Sequence, residues 1–270
     1  MSLAGRTAVI TGAASGIGRG IAQALARRGC NLALCDVNEV GLAETAMLVR
    51  GTGVAASTHR LDVADRSQVA AAPKTVLAHH DRVDLLFNNA GVAVGGTFEQ
   101  VSEEDFDWLL EINFHGVVRM TRAFLPLLRA SDRARIVNVS SVFGIIAPPG
   151  QAAYCASKFA VRGFSESLRK ELEAEGASVG VTVVHPGGVA TSIARNARVP
   201  RGLNDGDADS ERDRFEKHLR MAPDKAGEII VAGVERGRPR ILVGGDAKAV
   251  AVIERLAPVR YWSMLQKVFK

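Results

Sequence analysis

Short runs of β-branched and apolar residues alternate along this chain with longer stretches whose apolar positions recur every three or four residues. The first pattern fits strands buried on both faces, and the second fits helices with one apolar stripe. RTAVITG (6–12) predicts the first strand and IGRGIAQALARRG (17–29) the first helix. NLALCD (31–36), VAASTHRLDV (54–63) and VDLLFNNAG (83–91) predict three more strands, separated by helices over roughly 39–50 and 66–80. Ser102-Glu103-Glu104-Asp105 is a capping signal for a long helix reaching about Leu128. ARIVNVSS (134–141), SVGVTVVHPGG (178–188) and RILVGG (240–245) predict the remaining strands, with a helix over 152–175 and helical segments around 211–235. The fold class is therefore α/β: a doubly wound parallel sheet of about seven strands in three layers, α/β/α, with residues 1–245 as one domain.

Two interruptions of that rhythm bear on chemistry. T-G-A-A-S-G-I-G (11–18) joins the first strand to the first helix, and Gly12, Gly16 and Gly18 permit a tight turn where a pyrophosphate can approach the helix N-terminus. The spacing is G-x-x-x-G-x-G rather than G-x-G-x-x-G, and no Gly-Lys-Ser/Thr makes it a P-loop. Asp36 ends the second strand, 24 residues past Gly12. A carboxylate there can accept hydrogen bonds from adenosine ribose hydroxyls and would repel a 2′-phosphate. With Ser15 rather than a basic residue before Gly16, and Arg19 a turn further on, this favours NAD over NADP. The plainer reading of Asp36 is a turn former in DVNE. The second interruption, residues 192–222, is polar, mixed in charge and rich in turn formers. Leaving the carboxyl end of the sixth strand, it reads as a substrate lid, against the alternative of a solvated excursion.

Composition narrows the classes. The chain has 270 residues, 47% of them hydrophobic, enough for one large core and too apolar for disorder. Cys30, Cys35 and Cys155 are too few and too poorly spaced for a disulfide framework or zinc site, and the six histidines show no ligand spacing. The histidines read mostly as surface or loop residues, and no metal is expected. No run is long and apolar enough to cross a membrane, and the N-terminus lacks the pattern of a signal peptide, so the expected compartment is cytoplasmic. The net charge is +5, but +4 of it lies in the last 23 residues. Nucleic-acid binding, which needs a basic stripe across the body, is not expected.

Tyr154 and Lys158, in YCASK, sit four apart in the helical segment and so share a face. A nearby cation favours a phenolate, and a tyrosine so tuned can exchange a proton near neutral pH. Taken in order, TGAASGIG, NNAG (88–91), Ser141, YCASK and PGGVAT (186–191) resemble the short-chain dehydrogenase/reductase family, over roughly residues 6–245. The resemblance implies a Rossmann-type domain and an oxidoreductase interconverting a secondary alcohol and a ketone. It assigns Tyr154 as acid/base and Lys158 as its partner, which also holds the nicotinamide ribose. Ser141, thirteen residues before Tyr154, is assigned to the substrate oxygen, with Ser140 the alternative. Asn113 is assigned to bend the long helix and seat a water leading to the lysine. For the cofactor, Thr11, Gly12, Ser15, Gly16, Ile17 and Gly18 form the phosphate turn, and Asp36 takes the ribose. Asp62 and Val63 meet the adenine, and Asn89, Ala90 and Gly91 line the groove. Pro186, Gly187, Val189 and Thr191 orient the carboxamide, beside Tyr154 and Lys158.

Other readings remain at this point: a nucleotide-binding regulatory or scaffolding protein without turnover, an epimerase or lyase using NAD transiently, and an NADP-dependent reductase. The wall expected for the substrate, Val94 to Thr97 and Val142 to Pro149, is largely apolar, which points to an apolar alcohol or ketone. Residues 246–270 form an amphipathic tail rich in cations. It can pack on its own domain, cover the pocket, meet a neighbouring subunit or lie on an acidic membrane, with packing the default. The resemblance implies a homodimer or homotetramer built through the helices that carry Asn113 and Tyr154–Lys158.

Overall fold

Seven strands hydrogen-bond in parallel into one sheet: β1 (Thr7–Thr11), β2 (Asn31–Asp36), β3 (Ala56–Arg60), β4 (Leu85–Asn88), β5 (Ala134–Val139), β6 (Val179–Pro186) and β7 (Arg240–Val243), in the order 3-2-1-4-5-6-7. The structure is a computed structural model describing residues 2–198 and 219–266. Most of the expected lid and the helical stretch expected near 211 therefore lie outside the described residues.

Helices α1 (Gly16–Ala26), α2 (Glu39–Val49), α3 (Arg66–Leu77), α4 (Glu103–Leu110), α5 (Gly116–Ala130), α6 (Ala152–Ala174) and α7 (Pro223–Glu235) flank the sheet, and α8 (Gly245–Leu256) and α9 (Tyr261–Leu265) follow it. Alternating strand residues feed two cores. Ala8, Ile10, Leu85, Phe87 and Val137 pack with α1 and α7, whereas Val9, Leu86 and Ile136 pack with α3 and α5.

Differences from the expected boundaries have local causes. α1 stops at Ala26 because Gly29 turns left-handed (φ +73°) and the Cys30 N–H bonds back to the Leu25 carbonyl at 3.2 Å. β3 ends at Arg60 because the Asp62 carboxylate accepts from the Ala64 N–H at 2.9 Å and turns the chain away. The long helix is not continuous: a wider π turn, Glu111–His115, separates α4 from α5, with Asn113 at its centre. Two histidines depart from the expected surface or loop placement, His59 and His185, which are buried in β3 and β6; His80 is a buried loop residue after α3, and His79 and His115 are exposed.

One buried carboxylate ties the opposite end of the sheet. Asp84, fully buried, accepts from the Thr7 N–H (3.0 Å), the Ser131 hydroxyl (2.7 Å), Arg82 Nε (2.9 Å) and Arg6 (3.1 Å). Burial pushes this carboxyl up, but the bonds from Arg82, Ser131 and Thr7 outweigh it and hold it below its ordinary range. Asp84→Ala leaves those donors unmatched and is expected to cost about 3–5 kcal/mol in urea denaturation. Because the folded pKa is depressed, that contribution is complete above the unfolded value of about 3.9 and fades as pH falls below it. Parent and variant should therefore converge in stability in strong acid; a constant gap would show that the charge is not what stabilises.

Candidate active site

The chain runs outward through β1, β2 and β3, then returns to place β4 beside β1, and this reversal opens a crevice at the carboxyl ends of the two strands. Thr11 stitches its edges: its hydroxyl donates to the Phe87 carbonyl (3.2 Å) and accepts from the N–H groups of Asn89 (3.0 Å) and Ala90 (3.1 Å). The Asn89 amide donates to the Thr11 and Gly12 carbonyls. Gly12 is left-handed (φ +66°), and a Cβ on Gly18 would stand 2.0 Å from the Gly12 carbonyl oxygen, so neither accepts a side chain. Ser15 makes no side-chain cap at the start of α1. The helix thus offers its first-turn N–H groups and positive dipole end to an anion, which fits a dinucleotide pyrophosphate.

Asp36 lies at the rim of this crevice. Its carboxylate accepts from the Ala14 N–H of the glycine turn and the Asn38 N–H, both at 3.0 Å. The turn-former reading therefore holds alongside any ligand role. Arg19 is spent internally: it donates to Thr45 (3.0 Å), to the Ala14 carbonyl (2.5 Å) and to Glu44 (2.7 Å). Val63 is buried against Gly116, leaving its backbone as the part that can meet a ligand; Asp62 sits beside it. Ile17 packs partly into the core.

Four side chains gather where β5 and α6 meet. The Ser141 hydroxyl stands close enough to the Tyr154 phenol to favour its anion, and Lys158 Nζ lies 5.5 Å from the centre of the Tyr154 ring. Lys158 is buried and donates to the Val139 carbonyl at 3.2 Å. Asn113 accepts from the Val92 N–H (2.8 Å) and donates to the Val92 carbonyl (3.0 Å) and the Ser157 hydroxyl (3.2 Å). Ser157 in turn donates to the Tyr154 carbonyl at 2.8 Å, so the π turn is tied to the YCASK segment. A Cβ on Gly91 would sit 3.2 Å from Asn113 Oδ1 and 3.4 Å from Lys158 Nζ, which puts NNAG at the same spot. Ser140 faces elsewhere, donating to the Lys158 carbonyl at 2.7 Å, so Ser141 is the serine on the phenol.

Burial lowers Lys158 to about 8 and raises Tyr154 to about 12, the nearby Ser141 hydroxyl offsetting only part of the latter. Burial by itself therefore works against the phenolate, and the positive charge expected of Lys158 has to outweigh it.

The PGG loop completes the crevice. The Gly187 N–H bonds the Val243 carbonyl at 3.0 Å, Val189 is buried, and Thr191 stands close enough that a Cβ on Gly16 would be 3.0 Å from its methyl. The first limb of the 192–222 segment crosses to the other wall. Arg198 N donates to the Ala93 carbonyl at 3.1 Å, and its guanidinium stacks 3.6 Å over Trp108 and pairs with Asp105 at 2.7 Å.

Three residues here escaped the sequence reading. His185, fully buried, hydrogen-bonds the Ser141 carbonyl through Nδ1 at 2.8 Å; burial lowers it to about 4, so it is neutral and Nδ1 carries the proton. Asp246 accepts from the Gly188 N–H at 2.7 Å, and the Tyr261 hydroxyl accepts from the Ala147 N–H at 3.0 Å. Their only signal was an acid at a helix start (GGD) and an aromatic in an amphipathic tail. That tail is docked on its own domain: Val250 and Leu265 are buried with Phe143, Ile145 and Ile146, next to Tyr154. Among the described residues, no helix is long and apolar enough to cross a membrane, and no cluster of metal-ligating side chains is present.

Comparison with known proteins agrees with this geometry. The family model for short chain dehydrogenase matches residues 6–201. A Mycobacterium tuberculosis protein named as an oxidoreductase, SadH, is 45% identical over 96% of this chain and 94% of its own. The oxidoreductase UcpA of Escherichia coli is 38% identical over 84% of this chain and 86% of its own. A short chain dehydrogenase/reductase from Burkholderia phymatum in complex with NAD superposes with a TM-score of 0.87 at 31% identity, covering 96% of this chain and 95% of that one. A metagenomic short-chain oxidoreductase in complex with NADP gives 0.71 at 30% identity, covering 90% and 98%. With the crevice, the glycine turn and the Ser–Tyr–Lys cluster all in place, this chain belongs to the short-chain dehydrogenase/reductase family of oxidoreductases.

Proposed function

We propose that the protein interconverts a secondary alcohol and its ketone with NAD(H), Tyr154 serving as acid/base. The observation that carries this reading is the Tyr154 phenol, with the Ser141 hydroxyl close enough to favour its anion and the buried Lys158 ammonium over its ring. The nicotinamide dinucleotide supplies the hydride chemistry when bound. Tyr154 takes the hydroxyl proton as the alcohol is oxidised and returns it in the reverse direction. Ser141 donates to the oxygen as its charge develops. Bringing the phenol from about 10 to about 7 requires roughly 4 kcal/mol of differential stabilisation, and burial adds to the demand. Positive charge at the phenol oxygen must meet it, and Lys158 is the group of this chain placed to contribute. Asn113 holds Val92 and Ser157, keeping the two walls in register around the lysine.

The rim favours NAD over NADP. The Asp36 carboxylate at the end of β2 would repel a 2′-phosphate, and Arg19, the cation that follows the glycine turn, is committed to Thr45, Ala14 and Glu44. The glycine turn, Asp62–Val63, NNAG and the PGG loop are assigned to the rest of the dinucleotide. Ile145, Ile146 and Phe143 make the neighbouring wall apolar, which supports an apolar substrate, and the Arg198 limb supports the 192–222 segment as its cover. A homo-oligomer through α5 and α6 completes the reading.

Tyr154→Phe should reduce turnover about 10³-fold with any alcohol found active in a panel followed by NADH absorbance, while NADH affinity is unchanged. Parent-like turnover would remove the phenol from the mechanism. Asp36→Ala should narrow the preference for NADH over NADPH by about tenfold, the scale of one charge-assisted hydrogen bond. Titration of both dinucleotides by fluorescence reads this, and an unchanged ratio would sink the rim argument.

A further inference from the structure

The helices that follow β7 touch both loops of the crevice. Asp246, in the first turn of α8, accepts from the Gly188 N–H at 2.7 Å. Its carboxylate lies so close that a Cβ on Gly187 would be 2.1 Å from Oδ2 and one on Gly244 2.2 Å from Oδ1. Both glycines therefore leave room for this one side chain. Further on, the Tyr261 hydroxyl of α9 accepts from the Ala147 N–H at 3.0 Å, and Leu265 is buried among Phe143, Ile145, Ile146 and Cys155. One short segment is thus fastened to the loop after β6 and to the loop after β5.

We infer that the C-terminal helices are a clasp with two separate positioning residues, Asp246 for the PGG loop and Tyr261 for the Val142–Pro149 wall. Without Asp246 the Pro-Gly-Gly loop keeps its backbone bonds to Val243 and Met221 but loses the tie at the Gly188 N–H, and ordering that part falls on the cofactor-binding step. Ala147 precedes Pro148 and Pro149, which have no N–H, so its own amide is the one donor among these three residues that can fasten the wall. Losing the Tyr261 acceptor therefore loosens the substrate side and leaves the cofactor side intact. The inference rests on the assignment of the two loops above, and it predicts separate effects at the two anchors.

The test compares the full-length parent with Asp246→Ala, Asp246→Asn and Tyr261→Phe, and with Val259→Ser at the exposed hairpin link as control. NADH titration by fluorescence and hydrogen–deuterium exchange over 144–150 and 186–191 are the readouts. Asp246→Ala should weaken NADH binding about tenfold and speed exchange at 186–191 only, with Asp246→Asn, which keeps an acceptor oxygen, recovering most of the loss. Tyr261→Phe should speed exchange at 144–150 and leave NADH affinity within about twofold. With an active alcohol it should raise KM without lowering kcat. The clasp is overturned if Asp246→Ala binds NADH like the parent, or if both variants loosen both loops alike, which a merely structural role would give. A parent that binds neither NADH nor NADPH instead overturns the functional reading, and the exchange data still decide whether the two anchors act separately.

Discussion

A lysine whose ammonium is almost removed from water must find its partners inside the protein, and the carboxyl edge of this sheet is arranged around that demand at Lys158. The Val139 carbonyl accepts from it at the end of β5, and Gly91, without a side chain, leaves space beside it. Burial has already lowered its affinity for a proton to about 8, so the group is poised between charged and neutral. Its position over the Tyr154 ring follows from four-residue helical spacing, but its depth follows from the sheet beneath it.

The rest of the site radiates from that point through short hydrogen-bonded links. Asn113 reaches α6 through Ser157 and the β4 loop through Val92. His185 holds the Ser141 carbonyl from β6, and Asp246 and Tyr261 hold the outer loops. Each link joins segments far apart in the chain, which is how a crevice made of loops can keep a defined shape on a rigid sheet. The glycine turn behaves differently. It is closed by Thr11, Asn89 and Asp36, and it leaves the first turn of α1 open.

The succession of strands and helices along the chain, the glycine turn and the Tyr–Ser–Lys–Asn group were legible because each rests on local pattern or on motif spacing. Buried parallel strands write continuous apolar runs, and helices write a three-to-four repeat. The wider turn at Glu111–His115 was visible only as the assigned bend at Asn113. The burial of His59 and His185 was not legible, since a histidine in a strand reads the same whether its neighbours are water or another layer. The role of Arg19 was equally hidden: a basic residue near the turn looks available until Thr45, Ala14 and Glu44 are seen around it.

By itself, then, the chain determined the order of strands and helices, the glycine turn and the family motifs, because those depend on neighbours in sequence. Only the tertiary structure decided how far Tyr154 and Lys158 are desolvated, which raises the one pKa and lowers the other, and that the C-terminal tail is docked beside the site. Burial and long-range hydrogen bonds depend on what the other layers bring, and Asp246 meets Gly188 across 58 residues of chain. No local pattern can encode that meeting.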